Sequence, residues 1–173
     1  MIYTLRCQMV APVSMRDAFA VFQDPLTLAR ITPPWLGFRV VTSDPVMRKD
    51  ALLDYEFRWL HLPLRWRTAI TEYEPPFFFT DEMAKGPYAL WRHKHTFHPT
   101  VEGTLVTDEV DYALPLGWLG RTVHRVLLAE QLKSLFRYRQ MRLNEILAGG
   151  KAHWTDPAVT EKLSPPEPAI FRR

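Results

Sequence analysis

The sequence has little of several things that mark common functional classes. One cysteine, Cys7, stands in 173 residues. No intramolecular disulfide and no Cys-x-x-Cys redox or metal motif is therefore available. The seven glycines form no Gly-x-Gly-x-x-Gly, Walker loop or Gly-x-Ser-x-Gly pattern, which leaves nucleotide-binding and serine-hydrolase chemistry without support. No apolar run approaches the length of a membrane span. The opening Met1-Ile2-Tyr3-Thr4-Leu5-Arg6 does not read as a secretory signal, and the closing Phe171-Arg172-Arg173 matches no lipidation signal. The formal charge is only +3, too small an excess to imply a nucleic-acid partner. These absences lead us to expect a cytoplasmic protein without a cofactor.

Apolar residues make up 47% and charged residues 24%, the balance of a folded domain. The length suits one domain with a sizeable core. Ten Phe, six Trp and six Tyr favour strands and large apolar contact surfaces.

Residues 2–10 alternate as a strand, with Tyr3, Leu5, Cys7 and Met9 on one face. Ser14 and Asp17 read as a capping box opening a short helix, and Asp24-Pro25 as the start of a second. Residues 36–42 are a strand candidate. In residues 51–61, Leu53, Tyr55, Phe57 and Trp59 alternate with Asp54, Glu56 and Arg58. Leu64, Trp66, Thr68 and Ile70 continue the inward set, and Arg65 and Arg67 face outward to pair with Asp54 and Glu56 across a hairpin. Three more strands follow, at 77–84, 88–98 and 103–114. From 119 to 147 the spacing turns helical, a segment of roughly 43 Å. Gly149-Gly150 ends it. Residues 149–173 contain Pro157, Pro165, Pro166 and Pro168 and read as an extended or mobile tail.

Strands grouped together, then one long helix, predict an α+β fold: a curved antiparallel sheet wrapped around the C-terminal helix. One helix covers only a stripe of so large a sheet, so a cavity is expected between them. Bulky inward residues suit its walls.

The run Asp81 to Phe97, containing Trp91-Arg92-His93-Lys94-His95, carries a resemblance. So do Gly103-Thr104 through Asp108, Val110 and Tyr112 to Gly120, and Phe136-Arg137-Tyr138-Arg139. Together they resemble bacterial members of the START-like (helix-grip, Bet v 1-like) superfamily, in particular its ligand-binding or polyketide cyclase/dehydrase-like group. The resemblance covers roughly residues 2–148. It implies a START-like ligand-binding domain over 1–148 and offers no counterpart for the tail at 149–173. Members bind sterols, lipids, hormones or polyketides, and some catalyse aromatisation or dehydration, so fold alone selects no chemistry.

In the strand at 88–98, alternation places Trp91, His93, His95 and Phe97 on one face. Asp108 falls on the apolar face of the next strand, beside His93 or His95 according to register. A carboxylate orients an imidazole and favours its charged form, which is the equipment for general acid–base work. The simpler reading is a buried pair that positions a ligand or stabilises the core. Asp81 is a second inward carboxylate, or an acid tied to a bulge near Gly86-Pro87. His-x-His is also a metal-ligand spacing, but it recurs by chance and the resemblance implies no metal, so none is expected. Cys7 reads as a structural thiol. Arg121, Arg125, Arg137, Arg139 and Arg142 make the last helix basic; a solvated face is the default, and contact with an anionic ligand or membrane surface the minor alternative.

The expected ligand-binding set is Tyr55, Phe57, Trp59, Trp66, Phe79, Asp81, Trp91, His93, His95, Phe97, Asp108, Tyr112 and Trp118. The expected function is binding of a small, mostly apolar molecule such as a lipid, polyketide or isoprenoid. One alternative is a cyclase, dehydratase or isomerase using His93, His95 and Asp108. A weaker one is a membrane-associated lipid or quinone chaperone. The segment 114–120, rich in Leu with Trp118, is either a lid at the cavity mouth or a pinned helix entry.

Overall fold

Residues 1–59, 62–115 and 127–162 are described by a computed structural model of the chain. Strand β1 (Ile2–Ala11) leads into α1 (Met15–Phe22) and α2 (Pro25–Arg30). The Ser14 hydroxyl accepts from the Asp17 amide, and an Asp24 carboxylate oxygen accepts from the Leu26 amide with Pro25 at the first helical position. A 3₁₀ turn (Pro34–Leu36) follows and then β2 (Arg39–Val40), so the strand expected over 36–42 is reduced to two residues. Pro33-Pro34 and the left-handed Gly37 (φ 52°) turn the chain there instead.

Strands β3 (Leu52–Trp59), β4 (Leu62–Glu74), β5 (Phe78–Lys85), β6 (Leu90–Thr100) and β7 (Gly103–Ala113) run consecutively. They precede α3 (Ala129–Ala148), β8 (His153–Trp154) and β9 (Ala158–Lys162). The sheet order is β2-β3-β4-β5-β6-β7-β1-β8, with β9 also on β1. Every pairing is antiparallel. Asp54 lies opposite Arg67 and Glu56 opposite Arg65. Arg67 donates to both Asp54 oxygens at 2.8 and 2.9 Å, so these charges face solvent and leave the other face apolar.

The β6–β7 hairpin fixes the register of the site. Its turn places Thr100 opposite Gly103. Gly103 has φ 136°, and a Cβ there would stand 2.1 Å from the Ala11 carbonyl oxygen. Only glycine fits, and the close approach locks the hairpin to the end of β1.

Helix α3 buries Leu132, Phe136, Leu143 and Leu147, at the three- and four-residue spacing of one face. Leu132 and Phe136 pack on Leu5, Cys7, Val110 and Tyr112; Leu143 and Leu147 pack on Met9 and Ala11. Gln140 donates to the Gln8 carbonyl at 3.2 Å. The helix stops at the left-handed Gly149, and the Asn144 side chain accepts from the Ala152 amide at 2.7 Å, turning the chain back toward the sheet. The long helix expected from 119 is described from 129; residues 119–126, with Arg121 and Arg125, lie outside the described residues.

Part of the segment expected as an extended or mobile tail, residues 149–162, lies among the described residues. Residues 153–162 are extended, but as strands paired to β1, with Leu5 opposite Val159 and Met9 opposite Trp154. Lys162 reaches Asp111 at 2.7 Å. The free edge of β1 supplies the missing partner that weak periodicity in this segment did not reveal.

Candidate functional site

A cavity of about 830 Å³ lies between α3, α2, the 3₁₀ turn and the concave face of the sheet. Its strand walls are Tyr55, Phe57 and Trp59 on β3, Trp66 on β4, Phe79 and Asp81 on β5, Trp91, His93 and His95 on β6, and Asp108 on β7. Two expected members of this set do not line it. Phe97 is fully buried against Phe19, Phe79 and Val106 under α1. Tyr112 is fully buried against Tyr3, Trp91 and Leu132. Both share the inward face, but α1 and the start of α3 cover their ends of the strands. Trp118 lies outside the described residues; Leu114 and Pro115, from the expected lid, are on the cavity wall.

Register brings four polar groups into one belt. Asp81 is opposite His93 across β5–β6, and His95 is opposite Asp108 across β6–β7. Asp108 Oδ1 lies 3.1 Å from His93 Nε2, a hydrogen bond, and 2.7 Å from His95 Nδ1. The second contact is ionic and off the hydrogen-bond direction, since His95 Nδ1 has no aligned partner. Asp81 Oδ2 faces the opposite ring edges, 3.6 Å from His93 Nδ1 and 3.4 Å from His95 Nε2. The imidazoles are 3.8 Å apart. Phe79 stacks on His95 at 4.3 Å, and Phe136 meets His93 edge-on at 5.6 Å. The aromatic packing removes water and raises the strength of each charge contact.

The two histidines are driven apart. Burial opposes charge on His95, but the charge and close contact of Asp108, then Asp81, raise its pKa to about 9. Burial and the neighbouring His95 charge hold His93 below its ordinary value, and the carboxylates recover only part of that. Burial would raise the Asp108 carboxyl; the His95 charge and contacts with both imidazoles outweigh it and hold the group well below the usual carboxylate range. These opposite shifts favour the proton on His95 over His93. Burial, then the Asp108 charge, pushes the Cys7 thiol up, with Sγ 3.9 Å from Asp108, so Cys7 is inert.

Asp81, His93 and His95 offer three ligand atoms within 4.8 Å of one another, a spacing that suits a divalent cation. The Arg139 guanidinium on the same cavity wall weighs against a cation there.

Sequence reasoning missed Arg139, which it placed on a solvated face. It follows Phe136 by three and precedes Leu143 by four, and that inward spacing was the available signal. It also missed the rim. Trp35, 69% exposed, meets Tyr138 of α3 edge-on at 5.7 Å. Across the cavity, the Trp59 indole donates to Gln131 Oε1 at 2.8 Å.

A sheet wrapped on a long helix, with short helices after the first strand, is the helix-grip fold of START and Bet v 1-like proteins. Residues 11–136 match the family model described as polyketide cyclase / dehydrase and lipid transport, and the chain belongs to that family. It is similar in structure to protein CV1439 from Chromobacterium violaceum, at 16% identity over 83% of this chain and 96% of that one, TM-score 0.66. The protein TTHA0849 from Thermus thermophilus is similar at 17% identity over 83% and 98%, TM-score 0.61. Ginseng major latex-like protein 151 from Panax ginseng is similar at 12% identity over 85% and 99%, TM-score 0.63. No curated protein matches the chain. Family and fold together suggest binding of hydrophobic ligands. Among the described residues, no helix is long and apolar enough to cross a membrane.

Proposed function

We propose that this protein binds one small, mostly apolar molecule in the cavity, oriented by the Asp81–His93–His95–Asp108 belt. The observation that carries this reading is a cavity of about 830 Å³ whose walls are largely aromatic and aliphatic, with Asp81, His93, His95 and Asp108 gathered at one place. That is the make-up of a small-molecule site: apolar walls for affinity and a few polar groups for orientation. Native mass spectrometry of protein purified from its own host tests it, together with binding of the neutral apolar dye N-phenyl-1-naphthylamine. A retained small molecule, or saturable dye binding at one per chain, is expected. Protein that holds neither would end the reading.

A second reading rests on the divergent histidines. His95, carrying a proton, can protonate the hydroxyl of a bound β-hydroxy ketone as it leaves as water. Neutral His93 can take the proton from the α-carbon, and the product is the conjugated enone. The pair ends with its total proton count unchanged. A β-hydroxy ketone of suitable size, followed by mass spectrometry for loss of water, tests this step. Bound but unchanged substrate would leave the binding reading and remove the catalytic one.

A further inference from the structure

One α3 residue on the cavity wall is not explained by an apolar cargo. Helix α3 presents Leu132, Phe136, Arg139 and Leu143 to the cavity, at the spacing of a single face. Three are apolar, as burial requires. The fourth is a guanidinium that stays charged in any protein environment.

Arg139 has no hydrogen bond or ion pair among the described residues, and its Nε is sealed from solvent without a partner. Its neighbours on the same helix are spent differently: Arg137 contacts Asp156 and Arg142 contacts Glu145, both at the surface. The nearest acids cannot serve it, because Asp81 and Asp108 are within 4.0 Å of the imidazoles and not of Arg139. They are close enough for their charges to be felt by the guanidinium, which places it on the same side of the cavity as the belt. The Phe136 ring, 5.1 Å from Arg139 Cζ, supports one flank. The residue is half-buried, and a cation with a sealed, unmade donor is costly unless something pairs with it.

We infer that Arg139 is a carboxylate-binding residue, and that the cavity takes an apolar ligand ending in one carboxylate, with its tail along the Trp and Phe walls. The inference rests on the binding reading above and narrows it to a ligand class. A planar guanidinium offers paired N–H donors that match the two oxygens of a carboxylate.

The test uses ligands with one tail and different heads. N-phenyl-1-naphthylamine is bound to the whole protein and displaced with dodecanoate, methyl dodecanoate or dodecanol. Dodecanoate should displace the dye at a concentration about tenfold or more below the other two, as a charge-assisted pair predicts. Arg139→Met should bring the three within about twofold while the dye still binds, and Arg139→Lys should keep part of the preference. Equal displacement by acid, ester and alcohol in the unmodified protein would overturn the inference and leave the binding reading intact. So would an acid preference that survives in Arg139→Met. The head-group comparison needs no variant, so it decides even where a variant fails to fold. Absence of dye binding and of ligand binding in the unmodified protein would instead remove the binding reading, and this inference with it.

Discussion

Asp108 and His95 face each other across the β6–β7 ladder, with Oδ1 2.7 Å from Nδ1 inside an aromatic enclosure. Asp108→Asn removes the charge that holds the proton on His95. Its pKa should fall from about 9, by on the order of one unit or more. NMR titration of the imidazole resonances reads the change, and an unmoved His95 would mean that the pair is not coupled.

Stability should depend on pH through the same pair. The folded pKa of His95, about 9, lies above its ordinary value of 6.5. Its contribution is then complete below about pH 6.5 and lost as pH rises through about 9. The interval corresponds to about 3 kcal/mol at ~1.36 kcal/mol per pH unit, an order-of-magnitude figure. His93 is lowered and acts in the opposite sense, costing stability as pH falls below about 6.5. Denaturant midpoints should therefore decline between pH 6.5 and 9, and Asp108→Asn should flatten that decline.

Metal removal should leave ligand binding unchanged. The sequence resemblance implies no metal, and the Arg139 guanidinium shares the cavity wall with the belt. Dye affinity measured before and after EDTA dialysis should agree within about twofold. A loss restored by zinc or iron would reassign Asp81, His93 and His95 as ligands.

Trp35 stands at the rim, exposed, with its ring edge-on to Tyr138. Trp35→Ala should raise dye on- and off-rates severalfold in stopped-flow fluorescence. Its unfolding free energy should change by no more than about 0.5 kcal/mol, as for most surface sites. Phe136→Ala, at a fully buried position between helix and sheet, should cost about 3–5 kcal/mol.

Removing residues 150–173 strips β8 and β9 from β1. An uncovered β1 edge invites pairing with another chain. A melting temperature lower by roughly 5–10 °C and concentration-dependent association in light scattering are expected. A monomer of unchanged stability would show that these strands are ornamental.

The sequence by itself determined which residues share a face. Two-residue alternation put Asp108, His93 and His95 on one side of the sheet and the Asp54, Glu56, Arg65 and Arg67 charges on the other, because successive Cβ atoms in a strand point oppositely. Local chemistry likewise set the helix starts at Ser14 and Asp24. Tertiary structure decided what each face meets. Phe97 and Tyr112 have the same inward pattern as Trp91, yet α1 and α3 bury them in solid core while Trp91 reaches the cavity. The two histidines sit between Asp81 and Asp108 because two separate pairings, β5–β6 and β6–β7, come into register, the second closed by the Gly103 turn pressed against Ala11 of β1. The docking of β8 and β9 depends on a free edge that exists only once the sheet has formed. Arg139 was read as solvated because charged residues on a helix usually are; only the packing of α3 over the sheet turned that position inward, where a charge needs a partner.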